Sequence, residues 1–274
     1  MDRSLKQLSP SDVRDVADRF SLDDECALVT GAGNGMGRVV AFTFAAAGAD
    51  LAISDRLTED LTDTAADLRD AFDVTITEVE ADVSDPDAVA GMVETATADL
   101  GDLDVLLNVA GVSTYEDSED LEVKTWDLVQ DVNLRSVFVA AREAFPHLKG
   151  GGRIVNISSI AGLYGASSMS HYGAAKAGVR NLTQSLAAEW AADNVRVNAV
   201  APGPILTPGV SEMLDEADED AYDRSSVDRP VGSPAEIADT MLFLASPLSS
   251  FVTGETVRVG GVPPTQEDIS ITPY

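Results

Sequence analysis

Short apolar runs alternate along the chain with longer amphipathic stretches. The runs lie at 26–30, 50–54, 74–79, 103–108, 153–158, 195–200 and 256–259. Each is too short for a buried helix and predicts a strand covered on both faces. Between them, helical periodicity over 36–47, 58–71, 86–99, 122–148, 173–192 and 234–245 predicts amphipathic helices. Thr58 followed by acids, and Ser84-Asp85-Pro86, supply helix starts. Repeated strand–helix–strand units build a parallel sheet with right-handed crossovers and helices on both faces. The expected fold is therefore α/β and doubly wound, with about seven strands in a single domain over 25–262. Residues 1–24 read as an N-terminal extension packed on the surface, with a short helix over 11–20, and 263–274 as a C-terminal tail. The acidic stretch 215–220 reads as an insertion loop or lid.

Charge changes the picture of the solvent more than that of the reaction. The 274 residues hold 18 Lys+Arg against 47 Asp+Glu, a formal charge of −29, while 45% are hydrophobic. Disordered acidic chains are poor in apolar residues, so this chain is expected to fold. Nucleic acid and anionic lipid both need clustered bases, so neither is an expected partner. No apolar run is long enough to span a bilayer, and Met1-Asp2-Arg3-Ser4 opens no secretory signal. The lone Cys26 excludes an internal disulfide and leaves the compartment open, so a soluble cytoplasmic protein is expected by default. The acids are spread along the chain, and only four bases are lysines: Lys6, Lys124, Lys149 and Lys176. This pattern suits a salt-adapted, halophilic cytoplasm, because about 1 M salt screens self-repulsion within roughly 3 Å. An ordinary acidic protein is the plainer alternative.

Candidate chemistry begins where the first strand runs into Gly31-Ala32-Gly33-Asn34-Gly35-Met36-Gly37 and an apolar helix. Glycines there permit a tight turn and a close approach of a pyrophosphate to the helix N-terminus. Asp55, at the end of the second strand, is placed to accept ribose hydroxyls and to repel a 2′-phosphate. Arg56 pulls the other way, but Asn34 leaves the glycine loop without a base, so NAD is favoured over NADP.

These residues resemble the short-chain dehydrogenase/reductase family. Thr30 to Gly37 has the family's glycine-loop form, and Asp82-Val83 matches the pair that touches adenine. Asn108-Val109-Ala110-Gly111 is similar to its strand-end motif, with Val in the second place. Pro202-Gly203-Pro204-Ile205-Leu206-Thr207 matches the segment covering the nicotinamide. Arg229-Pro230-Val231-Gly232, Pro234, Glu236-Ile237-Ala238 and Phe251-Val252-Thr253-Gly254 extend the likeness over residues 24–262. The resemblance implies a Rossmann fold and a catalytic set of Asn133, Ser159, Tyr172 and Lys176. It implies cofactor contacts at Gly31, Asn34, Gly35, Met36, Gly37, Asp55, Arg56, Asp82, Val83, Asn108, Ala110, Gly111, Tyr172, Lys176, Pro202, Gly203, Ile205 and Thr207. It further implies that Lys176 binds the nicotinamide ribose and that Asn133 positions a water. One departure is Val259, where the family often has an acid before two glycines.

Tyr172 and Lys176 are four apart at a helix start and so share a face. An adjacent ammonium, the helix dipole and an oxidised nicotinamide all favour the phenolate, so a lowered tyrosine pKa is expected. Tyr172 then takes the hydroxyl proton while hydride leaves for the cofactor, and returns it in reduction. Ser159, 13 residues earlier and just past a strand, is placed to hold the reacting oxygen. His147 and His171 are too few to build a histidine-based metal site with Cys26, and no catalytic metal is expected. His171 reads as an exposed helix-start residue, and Cys26 as a small buried hydrophobe.

The expected activity is NAD-dependent oxidoreduction at a CH–OH group, between a secondary alcohol and a ketone. A sugar or sugar acid is slightly favoured over the 3-oxoacyl thioester of a reductase in the same family. A non-catalytic NAD-sensing or scaffold protein is the reading from another class. Leu163, Tyr164, Met169 and Met213 are expected as apolar pocket walls, with Ser167, Ser168 and His171 as polar contacts. The resemblance implies pairing of the helices at 122–148 and 173–192 across two-fold axes, as a homotetramer first and a dimer second.

Overall fold

Side chains alternate across the strands, so adjacent apolar residues enter different cores. Ala27 and Val29 face one core while Leu28 faces the other, and Val105 and Leu107 part from Leu106 in the same way. The computed structural model describes residues 18–207 and 225–263. Its strands are β1 (Cys26–Thr30), β2 (Asp50–Asp55), β3 (Ile76–Glu80), β4 (Val105–Asn108), β5 (Arg153–Ile157), β6 (Arg196–Pro202) and β7 (Thr256–Val259). All pair in parallel, in the order β3-β2-β1-β4-β5-β6-β7. The expected doubly wound sheet of seven strands is what forms.

Helices α1 (Gly35–Ala46) and α2 (Thr58–Ala71) cover one face through Val40, Phe44, Leu61 and Leu68. On the other face lie α3 (Pro86–Leu100), α5 (Ser136–Leu148) and α6 (Ser170–Trp190), bringing Val89, Met92, Val139 and Leu186. Helix α7 (Pro234–Ala245) returns to the first face through Ile237, Met241 and Leu244. The strand order reverses between β1 and β4, which opens a crevice beyond their carboxyl ends.

The segment at 122–148 is not one helix. It is α4 (Val123–Gln130), a π-helical turn (Asp131–Arg135) and then α5. The cause sits at its centre: the Asn133 amide donates to the Val129 carbonyl at 3.0 Å and inserts into the hydrogen-bond ladder. Helix starts also divide. Asp85 caps α3 by accepting from Asp87 N–H at 3.0 Å, with Pro86 in the first turn. Thr58 does not cap α2; Leu57 is its N-cap, and the Thr58 hydroxyl donates to Glu80 Oε2 at 2.7 Å.

Leu22, within the N-terminal stretch, is fully buried, and its N–H donates to the Ala47 carbonyl at 2.7 Å. Of the helix expected over 11–20, only a 3-10 turn at Asp18–Phe20 lies within the described residues. The acidic stretch 215–220, Met213 and the tail beyond 263 lie outside them. Among the described residues no helix is long and apolar enough to cross a membrane.

Candidate active site

Two hollows of about 680 and 510 Å³ lie beyond the carboxyl ends of the central strands. Met36, Val109, Gly111, Val112 and Thr207 line both, so they form one cleft. The first half is built on the glycine loop. Gly31 has φ +70°, and a Cβ there would lie 2.7 Å from the Ala110 backbone. At Gly37 a Cβ would come within 1.9 Å of the Gly31 carbonyl, so the helix meets the loop only because that side chain is missing. Gly35 faces open space at the wall of the cleft. Helix α1 has no side-chain cap and no acid in its first turn, in a chain with 47 acids. Its first N–H groups and its positive dipole end suit a phosphate. Asn34 lines the hollow but does not cap the helix; it donates to Asp60 Oδ2 at 2.9 Å.

Asp55 stands beside this loop. Its Oδ2 accepts from Gly33 N–H and its Oδ1 from Leu57 N–H, each at 3.0 Å. One further lone pair on each oxygen remains for ribose hydroxyls. Arg56 lines the same wall, as do Asp82 and Val83. The Ser84 hydroxyl and N–H hold the Asp82 carboxyl below the usual carboxylate range; burial opposes this and Arg56 adds to it.

The second half brings Ser159, Tyr172 and Lys176 together with Pro202, Gly203 and Ile205. Lys176 is buried inside α6, with its Nζ donating to the Ile157 carbonyl at 3.0 Å. The ammonium lies 5.6 Å from the centroid of the Tyr172 ring, which places both on one helix face as the spacing requires. Burial pulls the Lys176 pKa down to about 8. Tyr172 departs from expectation. Burial raises its phenol above the ordinary value, the Ser159 hydroxyl opposes this, and Tyr115 adds to the rise. Desolvation of the phenolate is the largest of these influences.

Two predicted residues stand one layer behind the cleft. Asn108 is buried and donates to Asn156 Oδ1 at 2.9 Å, and Asn156 donates onward to Thr183 Oγ1 at 3.0 Å. The alternation of β4 turns its amide under the floor, where another side chain satisfies it, so it does not line the cleft with the residues around it. Asn133 is also fully buried. Its Nδ2 donates to the carbonyls of Val112 and Val129, and its Oδ1 accepts from Val112 N–H at 3.3 Å. A Cβ on Gly111 would lie 2.9 Å from Asn133 Oδ1 and 3.6 Å from Lys176 Nζ, so these side chains converge on that glycine.

His171 is not exposed. It is fully buried, with Nε2 2.8 Å from Thr114 Oγ1 and its carbonyl accepting from Gln130 Nε2. Nor do Leu163, Ser167 or Ser168 line the cleft. Ser168 adopts φ +58° and donates to Asp117 Oδ1 at 2.6 Å instead. Tyr164 and Met169 are walls as expected, joined by Ser113 and Tyr115 from the loop after β4. Sequence reasoning missed that loop, and also Thr30, whose hydroxyl accepts from the N–H groups of Val109 and Ala110 at 3.1 and 3.2 Å. A buried threonine ending an apolar strand was the available signal. Cys26 is buried, and its thiol is pushed up to about 11 by burial and four surrounding acids. Among the described residues no three His, Cys, Asp or Glu side chains gather as metal ligands.

Comparison with known proteins agrees with this geometry. The family model described as enoyl-(acyl carrier protein) reductase matches residues 31–261. The cis-4-hydroxycyclohexanecarboxylate dehydrogenase of Sinomonas cyclohexanicum is 39% identical over 241 residues, covering 87% of this chain and 96% of the relative. A 3-oxoacyl-(acyl-carrier-protein) reductase of Thermotoga maritima is 36% identical over 242 residues, covering 88% and 98%. Among solved structures, a 7α-hydroxysteroid dehydrogenase complexed with NADH and 7-oxo glycochenodeoxycholic acid superposes with a TM-score of 0.83 at 29% identity. That alignment covers 89% of this chain and 96% of the other.

Proposed function

Because the chain belongs to the short-chain dehydrogenase/reductase family, we propose that it is an NAD-dependent oxidoreductase interconverting a secondary alcohol and a ketone. The observation that carries this reading is the meeting of Ser159, Tyr172 and Lys176 in one half of a cleft whose other half is the glycine loop. A bound nicotinamide cofactor accepts or returns the hydride. Tyr172 supplies the matching proton: a phenol raised by burial is fully protonated at neutral pH and poised to donate in reduction. In the oxidative direction it accepts the proton, helped by the Lys176 ammonium behind its ring. Ser159 holds the reacting oxygen. An ammonium has three donors, and Lys176 commits one to Ile157, which leaves two for a ribose. Asn133 acts from behind by fixing Val112 and Gly111, rather than by presenting its amide to the cleft.

NAD is preferred over NADP in this account, because the Asp55 carboxylate on the wall beside the glycine loop would repel a 2′-phosphate. A non-catalytic NAD-binding role has no use for the Ser159, Tyr172 and Lys176 set. The charge of −29 and the scarcity of lysine support a salt-adapted cytoplasm as the setting. Trp126 and Phe138, partly exposed on α4 and α5, support a tetramer built on those helices; light scattering in high salt tests it, and a monomer would refute it. The oxidoreductase reading is tested by screening sugars, polyols and other secondary alcohols with NAD and NADP in KCl. Reduced nicotinamide should form with NAD faster than with NADP, and a screen with no turnover in either direction overturns the reading.

A further inference from the structure

The substrate half of the cleft is walled by two loops of unequal charge. From the loop after β5 come Ile160, Tyr164 and Met169, and residues 160–170 contain neither an acid nor a base. From the loop after β4 come Val112, Ser113 and Tyr115, and residues 112–121 contain four acids and no base. The charged groups beside that wall are therefore Glu116 and Asp117, and Asp117 is tied to Ser168, next to Met169. Among the described residues the only cation lining this half is Lys176, which is fully buried and anchored to Ile157 behind Tyr172. Lys176 serves the reacting end, and among the described residues no other positive charge lines this half of the cleft. Tyr115 and Tyr164, both about half exposed, line this half as well, and the face of an aromatic ring is electron-rich, favouring C–H groups over anions.

We propose that this enzyme selects an uncharged, carbon-rich secondary alcohol, ring-bearing by preference, and turns away carboxylates and phosphate-linked thioesters. The proposal rests on the oxidoreductase reading above. Two forces enforce the selection. A carboxylate placed among these walls exchanges water for, at most, the neutral hydroxyls of Ser113, Tyr115 and Tyr164, with no described cation to pair it. The field of a chain carrying −29 also repels anions before they enter. The second force is screened by salt and the first is not, so they separate experimentally.

Each alcohol found active in the screen is compared with its partner of the other charge state, for instance 4-hydroxycyclohexanecarboxamide against the carboxylate. Values of kcat/KM are measured at low salt and at about 1 M KCl. The neutral member should lead by at least about tenfold at both, with the larger ratio at low salt. Replacing Tyr164→Arg should move the ratio at least about tenfold toward the carboxylate, and circular dichroism reports that the variant is folded. Carboxylates oxidised as well as amides at high salt, or a ratio indifferent to Tyr164→Arg, would overturn charge selection and leave the oxidoreductase reading intact. No hydride transfer from any alcohol would remove both.

Discussion

Replacing Thr30 by valine keeps the shape and strand preference of the residue and deletes one hydroxyl. In the native chain that oxygen donates to the Leu107 carbonyl at 3.4 Å and accepts from the N–H groups of Val109 and Ala110. The residue is 2% exposed, so water cannot take the hydroxyl's place without rearrangement. An orphaned buried N–H costs about 1–3 kcal/mol. The Val109 group carries that in full, while the Ala110 group is only partly buried, so a loss of about 2–4 kcal/mol is expected. For a chain of this size that lowers the unfolding temperature by roughly 4–16 °C. Thermal unfolding followed by circular dichroism measures the fall. Cofactor binding should weaken with it, since Ala110 and Gly111 line the cleft. Thr30→Ser keeps the oxygen and should recover most of both. A valine variant within about 0.5 kcal/mol of wild type would refute the idea that this hydroxyl holds the end of β4 in place.

Asp55→Ala should narrow the NAD-over-NADP ratio in kcat/KM by about tenfold, read as a ratio because the variant also frees Gly33 and Leu57 N–H groups; an unchanged ratio would sink the assignment. A lysine whose pKa falls on folding from 10.5 to about 8 opposes folding by about 3 kcal/mol while both states are charged, and that penalty is released as pH rises from 8 towards 10.5. Wild type should therefore gain stability relative to Lys176→Met across that window in denaturant titrations, and a constant difference would contradict it. Raising KCl to about 1 M should lift the unfolding temperature, because screening relieves the repulsion within a net charge of −29; a fall would argue against it.

Much of this molecule is legible along the chain because local rules set it. β1 and β7 fall on the predicted residues, and α2 and α7 span the predicted ranges, since periodicity and flanking glycines act within a few positions. What escapes prediction depends on partners far away in sequence. The break at Asp131–Arg135 needs Val112 as well as Val129 to hold the Asn133 amide, and Thr58 leaves its capping place for Glu80. His171 is buried because Thr114, 57 positions earlier, meets its ring. Asn108 turns under the floor for the same reason, with Asn156 as its partner. The direction at Tyr172 escapes because spacing reports that a lysine is near, but not that the phenol is buried. The site residues are visible as a set; the walls contributed by the loop after β4 are not.

Tyr172 carries the central claim, and one preparation of Tyr172→Phe tests it when binding and turnover are measured on the same sample. Removing only the hydroxyl takes away the proton donor and leaves the ring against Lys176. NADH affinity by fluorescence should stay within about threefold of wild type, while kcat for the best alcohol falls by about 10²–10⁴. A variant that binds NADH and turns over within about tenfold of wild type would contradict proton transfer through Tyr172.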